Sequence, residues 1–172
     1  MNTHRMSRCL VSLLLLTSAV VIGQEERPFN VIKISTSDEP TIAFRKMGRL
    51  LVGEGYELQT TEPTLMMITT KVTEKKYGFL SMGRIALRFA VTIDEADTGS
   101  VVTIAGKFLA DAEMFQRWMK QFTGVEASLK FDAEAQEIEE RGMSGSPVRA
   151  SWNAMKEIAE KYENGKVTFD AK

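Results

Sequence analysis

Apolar and polar residues alternate along residues 29–35 (FNVIKIS), which predicts a strand. Ser37-Asp38-Glu39-Pro40 follows and reads as a helix start, with a capping Ser or Asp and proline in the first turn. Phe44, Met47 and Leu51, flanked by Ala43 and Leu50, then recur at helical spacing until Gly53 and Gly55 stop the helix. Residues 56–61 read as a short strand and Glu62-Pro63 as a turn. Residues 64–75, 79–93 and 100–109 show period-two patterning, with loops at 76–78 and 94–99, and such closely joined strands pair antiparallel.

Past residue 109 the period becomes helical. Asp111 precedes Met114, Phe115, Trp118, Met119 and Phe122 on one helix face, and Gly124 stops it. Residues 132–141 (DAEAQEIEER) are acidic and read as helical, and residues 142–146 as a small-residue loop. Ser146 and Pro147 make a cap and first-turn pair for a last helix, whose stripe is Val148, Trp152, Met155, Ala159 and Tyr162. Glu163-Asn164-Gly165 ends it, and a tail with Val167 and Phe169 reads as an edge strand. The expected fold is α+β: a four- to five-stranded antiparallel sheet with helices packed on one face, in the order strand, helix, four strands, helices. Residues 24–172 are expected to form a single domain with a helical insertion at 110–141.

The start of the chain carries a different signal. His4, Arg5 and Arg8 precede the apolar run of residues 9–22, and Gly23 is followed at once by QEERP. A basic start, a short apolar run and a small exit residue read as a secretory signal peptide over residues 1–23, with Ala19 as the alternative cleavage point. The run is shorter than the roughly 18 residues of a spanning helix. Cys9 lies at the front of the run, where a lipidation cysteine does not sit. The expected location is therefore exported, periplasmic or secreted, with no transmembrane span after cleavage.

Composition then narrows the chemistry. The chain has 22 basic and 23 acidic residues, one His and one Cys. Cleavage would remove Arg5, Arg8, His4 and Cys9 but no acid, leaving a net acidic chain without His or Cys. Thiol nucleophiles, His bases, Ser-His-Asp triads, disulfides and zinc sites are then excluded. No cofactor motif is present, and near-neutral charge argues against nucleic acid. Asp94, Glu95 and Asp97 could do acid–base work or bind calcium, but Asp-Thr-Gly is turn chemistry. Residues 142–146, with Arg141 and Arg149 nearby, could offer amides to an anion, yet they read as a capping loop. The expectation is a non-enzymatic interaction or assembly module.

Strand parity suggests where it interacts. One face collects Ile32, Ile34, Met66, Ile68, Val72, Ile85, Leu87, Phe89, Val91, Ile93, Val102, Ile104 and Phe108. The opposite face collects Lys33, Lys71, Lys75, Arg84, Arg88 and Lys107, bases that could meet an acidic protein, lipid headgroups or a cell-wall polymer. Met114, Phe115, Trp118, Met119 and Phe122 form a candidate apolar contact. The alternative is a carrier of a small apolar ligand, held between helix and sheet in a pocket lined by Met47, Met66 and Met155.

The helix stripe running into GEGYEL (residues 53–58), then LMMITT (residues 65–70), two long strands and a late Trp-bearing helix resembles the helix-grip domains of bacterial envelope proteins such as outer-membrane assembly lipoprotein C. The resemblance covers roughly residues 28–165 at the level of element order. It implies a non-enzymatic envelope protein. The chain departs from that plan in lacking a lipidation cysteine and in carrying the 110–141 region, and no binding residue carries over.

Overall fold

The long alternation centred on residues 83–109 folds as one hairpin, and the other elements are added to its two edges. In the computed structural model, which describes residues 27–78, 83–110 and 135–171, the hairpin is Gly83–Ala96 (β5) and Gly99–Leu109 (β6). Ile85, Leu87, Phe89, Val91 and Ile93 on β5 and Val102, Ile104 and Phe108 on β6 are all buried. Their shared face follows from the register, in which Ile93 opposes Val102 and Val91 opposes Ile104. Ala96 opposes Gly99, so the turn is Asp97-Thr98 alone, and Asp94 and Glu95 belong to the strand instead of a longer loop.

Val31–Thr36 (β1) pairs with β6 and Gly165–Asp170 (β8) with β1. Met67–Thr70 (β3) and Thr73–Tyr77 (β4) lie along the other edge of β5, and Leu58–Glu62 (β2) pairs with β3. Gln136–Glu137 (β7) pairs with β6 beyond the end of β1. The fold is α+β with an antiparallel sheet, but the sheet has eight strands, not four or five. The expected strand at 64–75 is two strands, and residues 136–137 and 165–170 join the same sheet. Part of the expected helical region is also extended. Residues 136–137 are strand, and Ile138 is fully buried, reaching the space over Gly106 beside Phe89. The expected 111–122 helix lies outside the described residues, as do residues 123–134.

Pro40–Gly53 (α1) and Pro147–Glu160 (α2) pack on one face of the sheet. Ala43, Met47 and Leu51 of α1 and Trp152, Met155, Ile158 and Ala159 of α2 are buried against it. Ser146 caps α2, its hydroxyl accepting from the Arg149 amide at 3.2 Å. For α1 the capping residue is Glu39, which makes no side-chain cap; the expected Ser37 or Asp38 does not serve. Proline in the first turn lacks an amide hydrogen, so one of the unpaired donors of that turn is absent.

Asp38 instead ties α1 to the segment that follows α2. It accepts from Lys46 Nζ at 2.8 and 2.7 Å and from the Tyr162 hydroxyl at 3.0 Å. The Lys46 hydrogen bond, aided by that of Tyr162, holds the Asp38 carboxyl below its ordinary value. A carboxyl lowered in the folded state stabilises above its unfolded pKa, near 3.9. That stability is lost as pH falls through the folded value. Asp38→Asn is therefore expected to be less stable than wild type at pH 7, with the gap closing below about pH 4. Urea melts across pH check this; a gap independent of pH would mean that the ionised carboxylate contributes nothing.

Candidate functional site

Side chains in β5 and β6 that do not face the helices form an outer sheet face. Among the described residues no helix packs on it, nor is any helix long and apolar enough to cross a membrane. Its centre is made of small side chains. Ala90 opposes Ala105 and Thr92 opposes Thr103. With Val31, Lys33, Asp170 and Ala171 they line a depression of about 410 Å³. Small residues at adjacent pairs lower the floor, while Lys33 and Asp170 form a wall through a 2.6 Å ion pair.

The predicted basic residues divide. Lys33, Arg84, Arg88 and Lys107 are on the outer face. Arg88 stands directly opposite Lys107, one step along each strand pair from Ala90 and Ala105. Lys76 stands opposite Arg84, forming a second like-charged pair. Lys75 does not belong there. Thr69 opposes Ala90 and Thr73 opposes Leu87, so this side of the ladder advances four residues against three on β5. The extra residue is a bulge at 71–72, and a bulge of one residue reverses the alternation beyond it. Lys75 therefore opposes Ile85 on the helix side, where its ammonium donates to the Glu54 carbonyl at 3.1 Å and lies 4.6 Å over the Tyr56 ring. Lys71 lies in the bulge and pairs with Glu57 at 2.8 Å.

The same reversal brings Glu74 to the outer face, where it pairs with Arg84 at 2.6 Å. The face is therefore mixed: Glu74, Asp94 and Asp170 lie among its bases, and Arg88 and Lys107 stand opposite each other within it. Parity counting has no signal for this, because Thr69 and Thr70 before the bulge and Thr73, Glu74 and Lys75 after it suit either face. Val72, expected inward, falls at the irregularity and is half-buried.

Other candidates resolve into structure. Arg149 donates to the Glu140 carbonyl at 3.2 Å and Arg141 pairs with Glu139 at 3.1 Å, so both flank the 142–146 loop as internal partners. Among the described residues no group of acids is placed to hold a metal ion. Of the methionines expected to line a pocket between helix and sheet, Met47 and Met155 are fully buried and Met66 packs at the core's margin. Tyr56 is buried edge-on to Phe89, ring centres 5.0 Å apart. Burial pushes the Tyr56 phenol pKa upward, with Glu157 and Glu54 adding to the shift, so the group stays neutral. Met114, Phe115, Trp118, Met119 and Phe122 lie outside the described residues.

Comparison with protein-family models and with curated proteins gives no match for this chain.

Proposed function

We propose that the protein is an exported, non-enzymatic envelope protein. It works as an interaction or assembly module, docking an anionic partner at the rim of the outer sheet face. Export rests on the basic, apolar, small-residue pattern of residues 1–23. The docking reading rests on one observation above all: Arg88 and Lys107 face each other across adjacent strands beside a depression of small side chains. A phosphate or carboxylate group at this point would accept hydrogen bonds from both cationic side chains. The small side chains of Ala90 and Ala105 let such a group approach the sheet closely.

The test is co-sedimentation of the exported protein with phosphatidylglycerol vesicles and, in parallel, retention on immobilised polyglutamate. Binding to at least one, with little binding to neutral phosphatidylcholine, is expected. It should weaken steeply with salt, since the Debye length falls from roughly 10 Å at 0.1 M to about 3 Å at 1 M. Arg88→Glu/Lys107→Glu should lower binding about tenfold or more if the pair carries the contact. Equal binding by wild type and variant, or binding to neither anion, overturns the reading.

A further inference from the structure

The edge of the sheet farthest from β8 ends in β2. Gln59, Thr60 and Thr61 are exposed there, so this edge strand is open among the described residues. A register shift between Leu58 and Thr60 lets both Leu58 and Thr61 turn toward α1, since Leu58 opposes Thr70 and Thr61 opposes Ile68. Between β2 and α1 runs an open groove of about 570 Å³. Its apolar surface comes from Phe44, Val52 and Leu58, over the buried Ile68. Val52 is 57% exposed, an apolar side chain left in solvent at the groove wall.

The helix side of the groove is shaped by spacing. Arg45, Gly48 and Val52 follow at intervals of three and four, so they share one helix face along the groove. Gly48 keeps the middle of that wall low: an added Cβ would be 3.8 Å from Ile68 Cδ1, so a longer side chain would begin to fill the channel. Arg45 and Arg49 stand at the rim, and the lining contains no acid. Arg45 donates to the Thr41 carbonyl of its own helix, and Arg49 has no ion-pair partner among the described residues.

We propose that this groove takes an extended acidic–apolar peptide segment of another protein, which adds to β2 as a further strand. An open edge supplies main-chain donors and acceptors to any extended chain. Side chains of such a strand alternate, so every second residue would enter the groove against Phe44 and Leu58. Carboxylates at the helix-facing rim would meet Arg45 and Arg49, whose forked guanidinium groups suit them. The site is separate from Arg88–Lys107, on a different face and another part of the sheet, and it does not depend on the anionic-surface reading.

The test uses two fluorescein-labelled peptides, one alternating Val with Glu and one alternating Val with Lys, titrated into the exported protein and followed by anisotropy. The Val–Glu peptide is expected to bind at least about tenfold tighter than the Val–Lys peptide. Amide shifts in a labelled sample should cluster at residues 58–62 and along α1. Arg45→Glu/Arg49→Glu should weaken the Val–Glu peptide about tenfold while leaving the thermal melt in place, and Gly48→Leu should weaken both peptides by filling the groove. Arg88→Glu/Lys107→Glu should leave peptide binding unchanged. The proposal is overturned if neither peptide binds, if the two bind equally, or if shifts map to the outer face. A concentration-dependent dimer abolished by the Arg45/Arg49 variant would identify the occupant as a second copy and overturn it too.

Discussion

Trp152→Ala is expected to cost about 3–5 kcal/mol of unfolding free energy, the range for large aromatic truncations in packed cores. Trp152 is 2% exposed, on the face of α2 that lies against the sheet. Its ring centre is 5.7 Å from that of Phe169, which is itself 6.3 Å from Phe29. Phe169 belongs to β8, which among the described residues is an edge strand paired with β1 alone. Removing the indole leaves a cavity and also uncovers the inner side of β8. The loss should therefore be uneven: amide protection in residues 165–170 should fall more than in the β5–β6 hairpin. Trp152→Phe, which keeps a ring against Phe169, should lose markedly less. Urea melts followed by circular dichroism, with hydrogen exchange on the same samples, check both parts. A loss under about 1.5 kcal/mol, with β8 protection intact, would mean that the site collapses around the missing ring.

The stripe that places Trp152 could be read from sequence because a helix start and an apolar face agreed. Ser146-Pro147 marks the first turn, and Val148, Trp152, Met155 and Ala159 repeat behind it. The hairpin was legible for a similar reason, since both strands are long enough for alternation to persist. The reading failed where composition and tertiary pairing disagree. Residues 132–141 are rich in Glu and Ala, which favour helix locally, yet they offer no apolar stripe. Ile138 supplies the apolar contact at their centre, and it is buried by pairing beside β6 instead. Propensity is a weak prior, and a buried side chain over Gly106 outweighs it.

The site was legible in halves. Lys33, Arg84, Arg88 and Lys107 share a face because their strands run without interruption between register marks. Lys75 fell on the wrong side because one extra residue at 71–72 shifts everything after it, and alternation carries no record of such a shift when both faces are polar. Glu74 entered the outer face by the same step. The β2–α1 groove had no sequence signal at all. It depends on β2 being the sheet's edge, and lateral strand order is a property of pairing, not of any strand's own pattern.

Gly99→Ala is expected to destabilise by roughly 3 kcal/mol or more, through backbone and not side-chain packing. Gly99 has φ 131°, a conformation that residues with a Cβ rarely adopt. It sits at the end of the two-residue turn joining β5 and β6, the pair on which the rest of the sheet is built. A Cβ there would lie 2.1 Å from the Thr36 carbonyl oxygen and 2.7 Å from Ser37 Cα. Both are backbone atoms at the exit of β1, where Thr36 pairs with Ser100 and the Ser100 hydroxyl donates to the Asp38 carbonyl at 2.9 Å. Relief therefore requires moving β1 off β6 or opening the turn; no flexible side chain is available to give way. Gly145→Ala separates the two contributions, because Gly145 has φ 82° with nothing within 4 Å of an added Cβ. That variant should show backbone strain alone, on the order of 1–2 kcal/mol. Urea melts of both variants decide the matter. If Gly99→Ala costs no more than Gly145→Ala, the approach of β1 to the turn is looser than 2.1 Å implies, and the hairpin end can move independently of β1.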